Sequence, residues 1–337
     1  MTHRKRIGVL RGGPSNEYEV SLKTGAAVLE TLQKHFEDRY HAKDIFVDKK
    51  GNWHVDGIEM KLDSALRSVD TIFNALHGSY GEDGKVQSIL EHHGKPFTGS
   101  GSLASAIGMN KILAKKMFQN HKLKTPLFLQ FRSDRIQSEI DKIVAEVFNT
   151  FTMPAVVKPA SSGSSVGISV VKYYDGLPVA LREAAKHDDL VMIEEFIPGI
   201  EATCAVVEGF RDQDLYALPP VEIRPGNEFF DYAAKYEGLS QEIVPATFAS
   251  KTKLAIEDLA RQIHRALGLK HYSRSDFIIH PRRGIYILEV NTLPGLTNES
   301  LLPKALRAVG SDLNEFVGHV IELSLGSGQN ISGLIPN

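Results

Sequence analysis

The chain is poor in several features that would mark it for particular protein classes. Among its 337 residues there is one cysteine, Cys204, and one tryptophan, Trp53. A single cysteine excludes an intramolecular disulfide framework and fits a reducing compartment. Lys and Arg number 39 against 41 Asp and Glu, a formal net charge of −2. No global basic field is therefore available for a nucleic-acid backbone or an anionic membrane, and any phosphate recognition must be local. No run approaches the roughly 18 apolar residues of a membrane span. The basic start is followed only by Ile7-Gly8-Val9-Leu10 before Arg11-Gly12-Gly13, too short for the apolar core of a signal sequence. A soluble, cytoplasmic protein with no nucleic-acid or membrane partner is expected. Zinc-ligand spacing, a Ser-His-Asp order and internal repeats are also missing from the sequence. Cys204 lies in the apolar run Ala202-Thr203-Cys204-Ala205-Val206-Val207 with no nearby base, so it reads as core rather than as a nucleophile.

What is present is a globular composition, 42% hydrophobic and 24% charged. At roughly 100–200 residues per domain, the length predicts two or three domains. Residues 6–10 read as a buried strand and Gly12-Gly13 as a turn. Leu22, Ala26, Leu29 and Phe36 mark the apolar face of a helix, with Asn16 and Glu19 as its capping box. Further strand-like runs at 44–47 and 71–76 alternate with helical segments, which predicts a helix-covered parallel sheet over residues 1–101. A second unit, 102–195, contains a helix over 102–120, a helix over 136–149, a strand ending at Lys158-Pro159, the serine-rich loop 160–165 and a strand over 190–196. The third unit, 196–325, holds a polar stretch at 224–246 whose weak patterning suits a functional lid. It then holds a helix carrying Ile256, Leu259, Ile263 and Leu267, capped by Gly268. Residues 326–337 are expected to form a flexible tail.

Residues 275–280 and 285–291 are strand candidates joined by Pro281-Arg282-Arg283-Gly284. Pairing His280 with Ile285 across that turn sets Asp276 opposite Glu289 and Arg274 opposite Asn291. Strand residues two apart share a face, so all four project to one side. Opposed carboxylates repel each other, and hard oxygen donors so arranged suit Mg²⁺ shared with phosphate oxygens. The same geometry also fits a solvent-facing strand pair in which Arg274 and Asn291 neutralise the acids. The strand leaves through Asn291-Thr292-Leu293-Pro294-Gly295-Leu296-Thr297, where backbone N–H groups can reach a ligand.

Six segments, in order, carry a wider likeness. They are Gly12-Gly13-Pro14-Ser15-Asn16-Glu17-Tyr18-Glu19-Val20-Ser21-Leu22; His77-Gly78-Ser79-Tyr80-Gly81-Glu82-Asp83-Gly84; Thr98-Gly99-Ser100-Gly101 with Met109-Asn110-Lys111; Val157-Lys158-Pro159 with Gly163-Ser164-Ser165-Val166-Gly167; Asp231-Tyr232-Ala233-Ala234-Lys235-Tyr236; and Arg274-Ser275-Asp276-Phe277 with Glu289-Val290-Asn291-Thr292-Leu293-Pro294-Gly295. With these the chain resembles the D-alanine–D-alanine ligases of the ATP-grasp superfamily. The resemblance implies a three-domain α/β ATP-grasp fold with an N-terminal Rossmann-like, parallel-sheet domain. It implies a reaction in which ATP phosphorylates one D-alanine and the amine of a second attacks the acylphosphate, for peptidoglycan precursor synthesis. Another carboxylate–amine ligase of the superfamily, or the same chemistry with D-serine or D-lactate as second substrate, is the alternative.

Residue roles follow from the resemblance. Lys111 and Lys158 bind ATP phosphates, Ser165 belongs to the loop folding over them, and Glu194, Glu195 and Glu201 lie around the adenosine. Asp276, Glu289 and Asn291 would ligate two Mg²⁺ (or Mn²⁺) ions. Arg274 and the Gly295 N–H stabilise the oxyanion. Glu17 anchors the ammonium of the first D-alanine beside His77, while Ser164 and Tyr236 join Glu17 in tying down the lid. Ser300 and Leu301 meet the carboxylate of the second D-alanine, and Lys235-Tyr236 favours D-alanine there. A homodimer through the N-terminal unit is also implied. Two positions depart from the family pattern: Asn110 stands where Asp is usual, and Ser275 replaces an apolar residue and should face away from the metal.

Overall fold

The computed structural model describes residues 4–161, 167–225 and 240–326. The first unit runs β1 (Lys5–Gly12), α1 (Tyr18–His35), β2 (Tyr40–Val47), β3 (Trp53–Val55), β4 (Ile58–Met60), α2 (Leu62–Arg67), β5 (Thr71–Asn74) and α3 (Lys85–His92). Strands β2, β1 and β5 pair in parallel, as the alternating pattern predicts. The sheet is not purely parallel, however, because β3 and β4 extend its edge as an antiparallel hairpin, giving the order β4-β3-β2-β1-β5. The cause is local: Asp56-Gly57 takes positive φ at both residues, 50° and 83°, the two-residue turn that matches strand twist.

Helix α1 corrects two expectations. Its N-cap residue is Glu17 with no side-chain capping bond, so the Asn16/Glu19 capping box does not form. Its buried stripe is Ser21, Thr24, Gly25, Val28, Thr31 and Leu32, rotated away from the Leu22-Ala26-Leu29-Phe36 face. Small residues win because the helix lies close on β1: a Cβ on Gly25 would sit 2.6 Å from Arg11 Cβ. Ser21 Oγ accepts from Gly12 N at 2.8 Å and donates to Ala75 O at 2.8 Å, binding helix to sheet.

Two helices, α4 (Ser102–Met109) and α5 (Lys111–Asn120), replace the single one expected over 102–120. Asn110 ends the first and caps the second, its Oδ1 accepting from Ile112 N at 3.1 Å and Leu113 N at 3.0 Å. The central sheet follows, built from β6 (Phe128–Arg132), β7 (Ala155–Pro159), β8 (Ser169–Val171) and β9 (Leu190–Glu195) in the antiparallel order β6-β9-β7-β8. Helices α6 (Ser133–Ser138), α7 (Ile140–Thr150) and α8 (Leu177–Ala184) cover it; the helix expected over 136–149 is broken at Glu139.

The third unit contains β10 (Ile200–Glu208), β11 (Leu215–Ala217), β12 (Val221–Pro225), β13 (Ser240–Ile243), α9 (Ser250–Ala266), β14 (Tyr272–His280), β15 (Gly284–Asn291), α10 (Leu301–Ala308) and α11 (Leu313–Ser324). Its antiparallel sheet has the order β13-β12-β10-β14-β15, with β11 also on β10. Gly268 follows the α9 C-cap at φ 62°, as expected. Ile7, Val9 and Phe73 of the first unit share one core with Val207, Tyr272 and Phe316 of the third. Ala104, Ala114 and Phe118 of α4 and α5 pack with Ile256, Ile263 and Phe277, whereas Ile143, Val147, Leu177 and Leu181 form a separate central core. Cys204 is buried, its Sγ 3.2 Å from Leu218 O, and burial pushes its thiol well above the usual range, in keeping with a core role. Residues 226–239 of the expected lid, and the expected tail from 327 onward, lie outside the described residues.

Candidate active site

The β14–β15 hairpin carries the oxygen-rich face. Arg274 pairs with Asn291 and Asp276 with Glu289, as the sequence predicts, but the register near the turn is different: His280 pairs with Gly284, not Ile285. A bulge between Asp276 and Phe277 inserts one extra residue on β15 and restores the predicted pairing at the site. Ser275 points the other way, buried beneath the site with its hydroxyl unpaired. On the site face, Arg274 Nε and NH2 donate to the two oxygens of Asp276, both at 2.9 Å. Burial opposes the guanidinium charge, but Asp276, Glu289 and Glu82 more than offset it, so its pKa is raised. Glu289 lies 3.6 Å from Lys111 Nζ. Each acid thus has a cation beside it, and two half-exposed carboxylates with the Asn291 amide form a hard oxygen donor set that fits Mg²⁺. Asn291 Oδ1 also accepts from Leu293 N at 2.9 Å, which fixes the side chain at the start of the loop toward Gly295.

Lys111 opens α5, and its backbone N–H donates to Ala160 O at 2.9 Å, joining the helix to the end of β7. Lys158 on β7 is buried and holds Glu194 Oε1 of β9. The other oxygen, Glu194 Oε2, lies 2.9 Å from Lys115 Nζ yet receives no aligned hydrogen bond. Burial works against the Glu194 charge, but the two lysines overcome it and lower its pKa. Glu195, one residue on and so on the opposite face, pairs with Arg283 at the hairpin tip instead. Glu201 is half-buried on β10, in register with Ile223 and Ile278.

The third cluster belongs to the first unit. Ligand atoms of Glu17, His77 and Glu82 all lie within 4.8 Å of one another. His77 is 4% exposed, with Nε2 2.9 Å from Thr24 Oγ1 and Nδ1 3.2 Å from Glu82 Oε1. Gly78 has φ 70°, and a Cβ there would sit 2.4 Å from Ser15 Oγ, so only glycine lets the Glu17 loop close on His77. Sequence pattern marks the motif around Glu82 but not Glu82 itself; its negative charge is one of those that raise the Arg274 pKa. Lys115 carries no motif of its own in the sequence, and its one signal is a place one helical turn beyond Lys111. Ser300 is the N-cap residue of α10 but makes no side-chain cap: its Oγ lies 2.8 Å from Thr297 Oγ1, and Leu301 begins the helix. A Cβ on Gly295 would sit 2.9 Å from Ser300 Oγ, so the loop and the helix start converge. Ser164, Ser165, Lys235 and Tyr236 lie outside the described residues.

Lysines from α5 and β7 meeting acids from β9 and β15, beside a parallel-stranded unit with an acid pocket, define an ATP-grasp ligase. The comparisons with known proteins agree. A family model described as D-ala D-ala ligase C-terminus matches residues 117–322, and one described as D-ala D-ala ligase N-terminus matches residues 56–100. A D-alanine–D-alanine ligase of Geotalea uraniireducens (strain Rf4) is 41% identical over 319 residues, 94% of each chain. The crystal structure of VanG D-Ala:D-Ser ligase from Enterococcus faecalis superposes with a TM-score of 0.81 at 30% identity, covering 96% of this chain and 100% of that one. D-alanine–D-alanine ligase from Bacillus anthracis complexed with ATP gives 0.77 at 32% identity, covering 96% and 99%. The chain belongs to the D-alanine–D-alanine ligase family.

Proposed function

We propose that this chain joins two D-alanines into D-alanyl-D-alanine at the expense of ATP, through an acylphosphate, for peptidoglycan synthesis. The observation that carries the site assignment is Arg274, whose guanidinium bonds both oxygens of Asp276, the residue paired across the hairpin with Glu289. In this reading Glu17, assisted by Glu82 and His77, holds the ammonium of the first D-alanine, so that its carboxylate points toward Arg274. Lys111 and Lys158 hold the ATP phosphates, and Glu194, Glu195 and Glu201 lie around the nucleoside. Asp276, Glu289 and Asn291 would hold Mg²⁺, which when bound offsets phosphate charge and favours phosphoryl transfer. Arg274 and the Gly295 N–H take up the oxyanion as the second amine attacks. The second carboxylate meets Ser300 and Leu301 at the start of α10, where helix N–H groups attract an anion.

Ser164, Ser165, Lys235 and Tyr236 keep the lid roles that the family resemblance implies, and Lys235-Tyr236 argues for D-alanine over D-serine as second substrate. Two Mg²⁺ ions, a homodimer and a cytoplasmic setting belong to the same reading. Among the described residues, no helix is long and apolar enough to cross a membrane. The test is phosphate release from ATP and Mg²⁺ with D-alanine, L-alanine, D-serine and D-lactate in parallel, with products identified by mass. Release confined to D-alanine with dipeptide formed is expected; release without dipeptide, or none with D-alanine, would overturn the reading.

A further inference from the structure

We infer that Lys115 is a positioning residue of the nucleotide site: by sharing the charge of Glu194, it leaves the Lys158 ammonium free to turn toward an anionic polyphosphate. The inference rests on the ATP reading of this cleft. Lys115 has no exposed side-chain surface, and its partner Glu194 is 4% exposed. A fully buried lysine is uncommon unless it is paired. Its Nζ lies 2.9 Å from Glu194 Oε2 and donates to Thr125 Oγ1 at 2.7 Å. Thr125 Oγ1 in turn donates to Ile287 O at 2.8 Å, two residues before Glu289. One ammonium is therefore fastened to β9 of the central sheet, to the segment following α5 and to the hairpin of the third unit.

The charge arrangement is cation, anion, cation: Lys115, Glu194, Lys158. A carboxylate in a low-dielectric site with a single cation would hold that cation tightly. Lys158 would then be neutralised by Glu194, and a phosphate would have to break the pair. With Lys115 present, Glu194 is already compensated, and the buried group carries a formal net charge of +1. That surplus positive charge is what a polyphosphate supplies the counter-charge for. Burial draws the Lys115 pKa down to about 8, with Glu194 working to hold it up, so the ammonium stays mostly charged at neutral pH. Lys115 itself has no surface from which to touch a ligand; its action passes through Glu194 and Lys158.

The alternative is a core ion pair that serves folding only, and the two differ in which ligands lose affinity. Full-length Lys115→Met is compared with wild type for KM of ATP and of D-alanine, and for competitive inhibition by ADP and by adenosine. The expected result is at least a tenfold rise in KM for ATP and in the ADP inhibition constant. Adenosine inhibition and the D-alanine KM of the first site should change less than threefold. Equal losses for ADP and adenosine, or no change in either, would overturn the inference. If Lys115→Met does not fold, Thr125→Val tests the same split: it keeps the ammonium but removes the hydroxyl that aims it, together with that hydroxyl's bond to Ile287 O, and a twofold to fivefold selective weakening of ADP is expected. Wild type lacking ATP turnover with D-alanine would instead sink the underlying reading, whereas an active wild type with an indifferent variant sinks only the role of Lys115.

Discussion

Arg274 concentrates more of the site's chemistry than any other described side chain. Its two bonds to Asp276 hold a positive charge on the oxygen-rich face of the hairpin, and in the proposed reaction that charge meets the oxyanion. Arg274→Ala should lower kcat by about 10²–10³, the usual loss for a transition-state donor, while ADP affinity changes less than about threefold. Steady-state kinetics with calorimetric ADP binding checks this, and a folded variant that fails to bind nucleotide would contradict the assigned role. Strand periodicity puts Arg274 with Asp276, and Glu289 with Asn291, on one face of each strand, because alternate residues share a face. Glu82 and Lys115 escaped for the opposite reason. Their neighbours, Glu17 and Glu194, lie far along the chain, and no local period reports a contact that only packing creates. Asn110 departs from the usual Asp without loss at its own position, since its amide oxygen caps α5 and leaves Lys111 as the first helical residue.

Among elements, the β14–β15 hairpin shows how a correct face can come from an incorrect register. The turn is tighter by one residue than Pro281-Arg282-Arg283-Gly284 suggests, and the bulge at Asp276/Phe277 compensates before the site is reached. Just ahead of β14, His271 joins this strand to the first unit: its Nδ1 accepts from Gly99 N at 3.0 Å, and its backbone N–H donates to Glu208 Oε2 at 2.6 Å. Burial lowers the imidazole from its ordinary 6.5 to about 4, with Lys270, His264 and His319 adding to the effect and Glu208 opposing it. Between these values the unfolded chain binds a proton that the folded one refuses. Stability is therefore fully present above about pH 6.5 and is lost as pH falls toward 4, by at most about 3 kcal/mol from this group. His271→Asn, which tolerates the residue's φ of 63°, should flatten the decline in Tm between pH 7 and 5. Parallel melting curves for the two proteins would count against this. Hydrophobic periodicity marks the large residues of α1, whereas close helix-to-strand approach selects Ser21 and Gly25 for its buried face.

Across the whole molecule, the first and third units share a core through Ile7, Phe73, Tyr272 and Phe316, while the central sheet has its own. The nucleotide reading spans that division, since Lys158 and Glu194 come from the central sheet whereas Lys111 and Glu289 come from α5 and β15. Calorimetry should accordingly resolve a separate central transition without ligand. Mg²⁺ and ATP at about a hundred times Kd should raise it by about 2.7 kcal/mol and merge it with the main one. A single transition that nucleotide leaves unmoved would argue against a site bridging the two bodies. By itself the sequence determined the α/β class, the pairing of Arg274 with Asp276 and of Glu289 with Asn291 on one face of each strand, and the family, because periodicity and motif spacing are local properties of the chain. Only tertiary structure decided that α4 and α5 pack with the C-terminal sheet, that Lys115 pairs with Glu194, and that Glu82 meets His77 beside Glu17. Those outcomes depend on which buried charges find partners when distant segments close on one another, a balance of desolvation and pairing that the order of residues does not display.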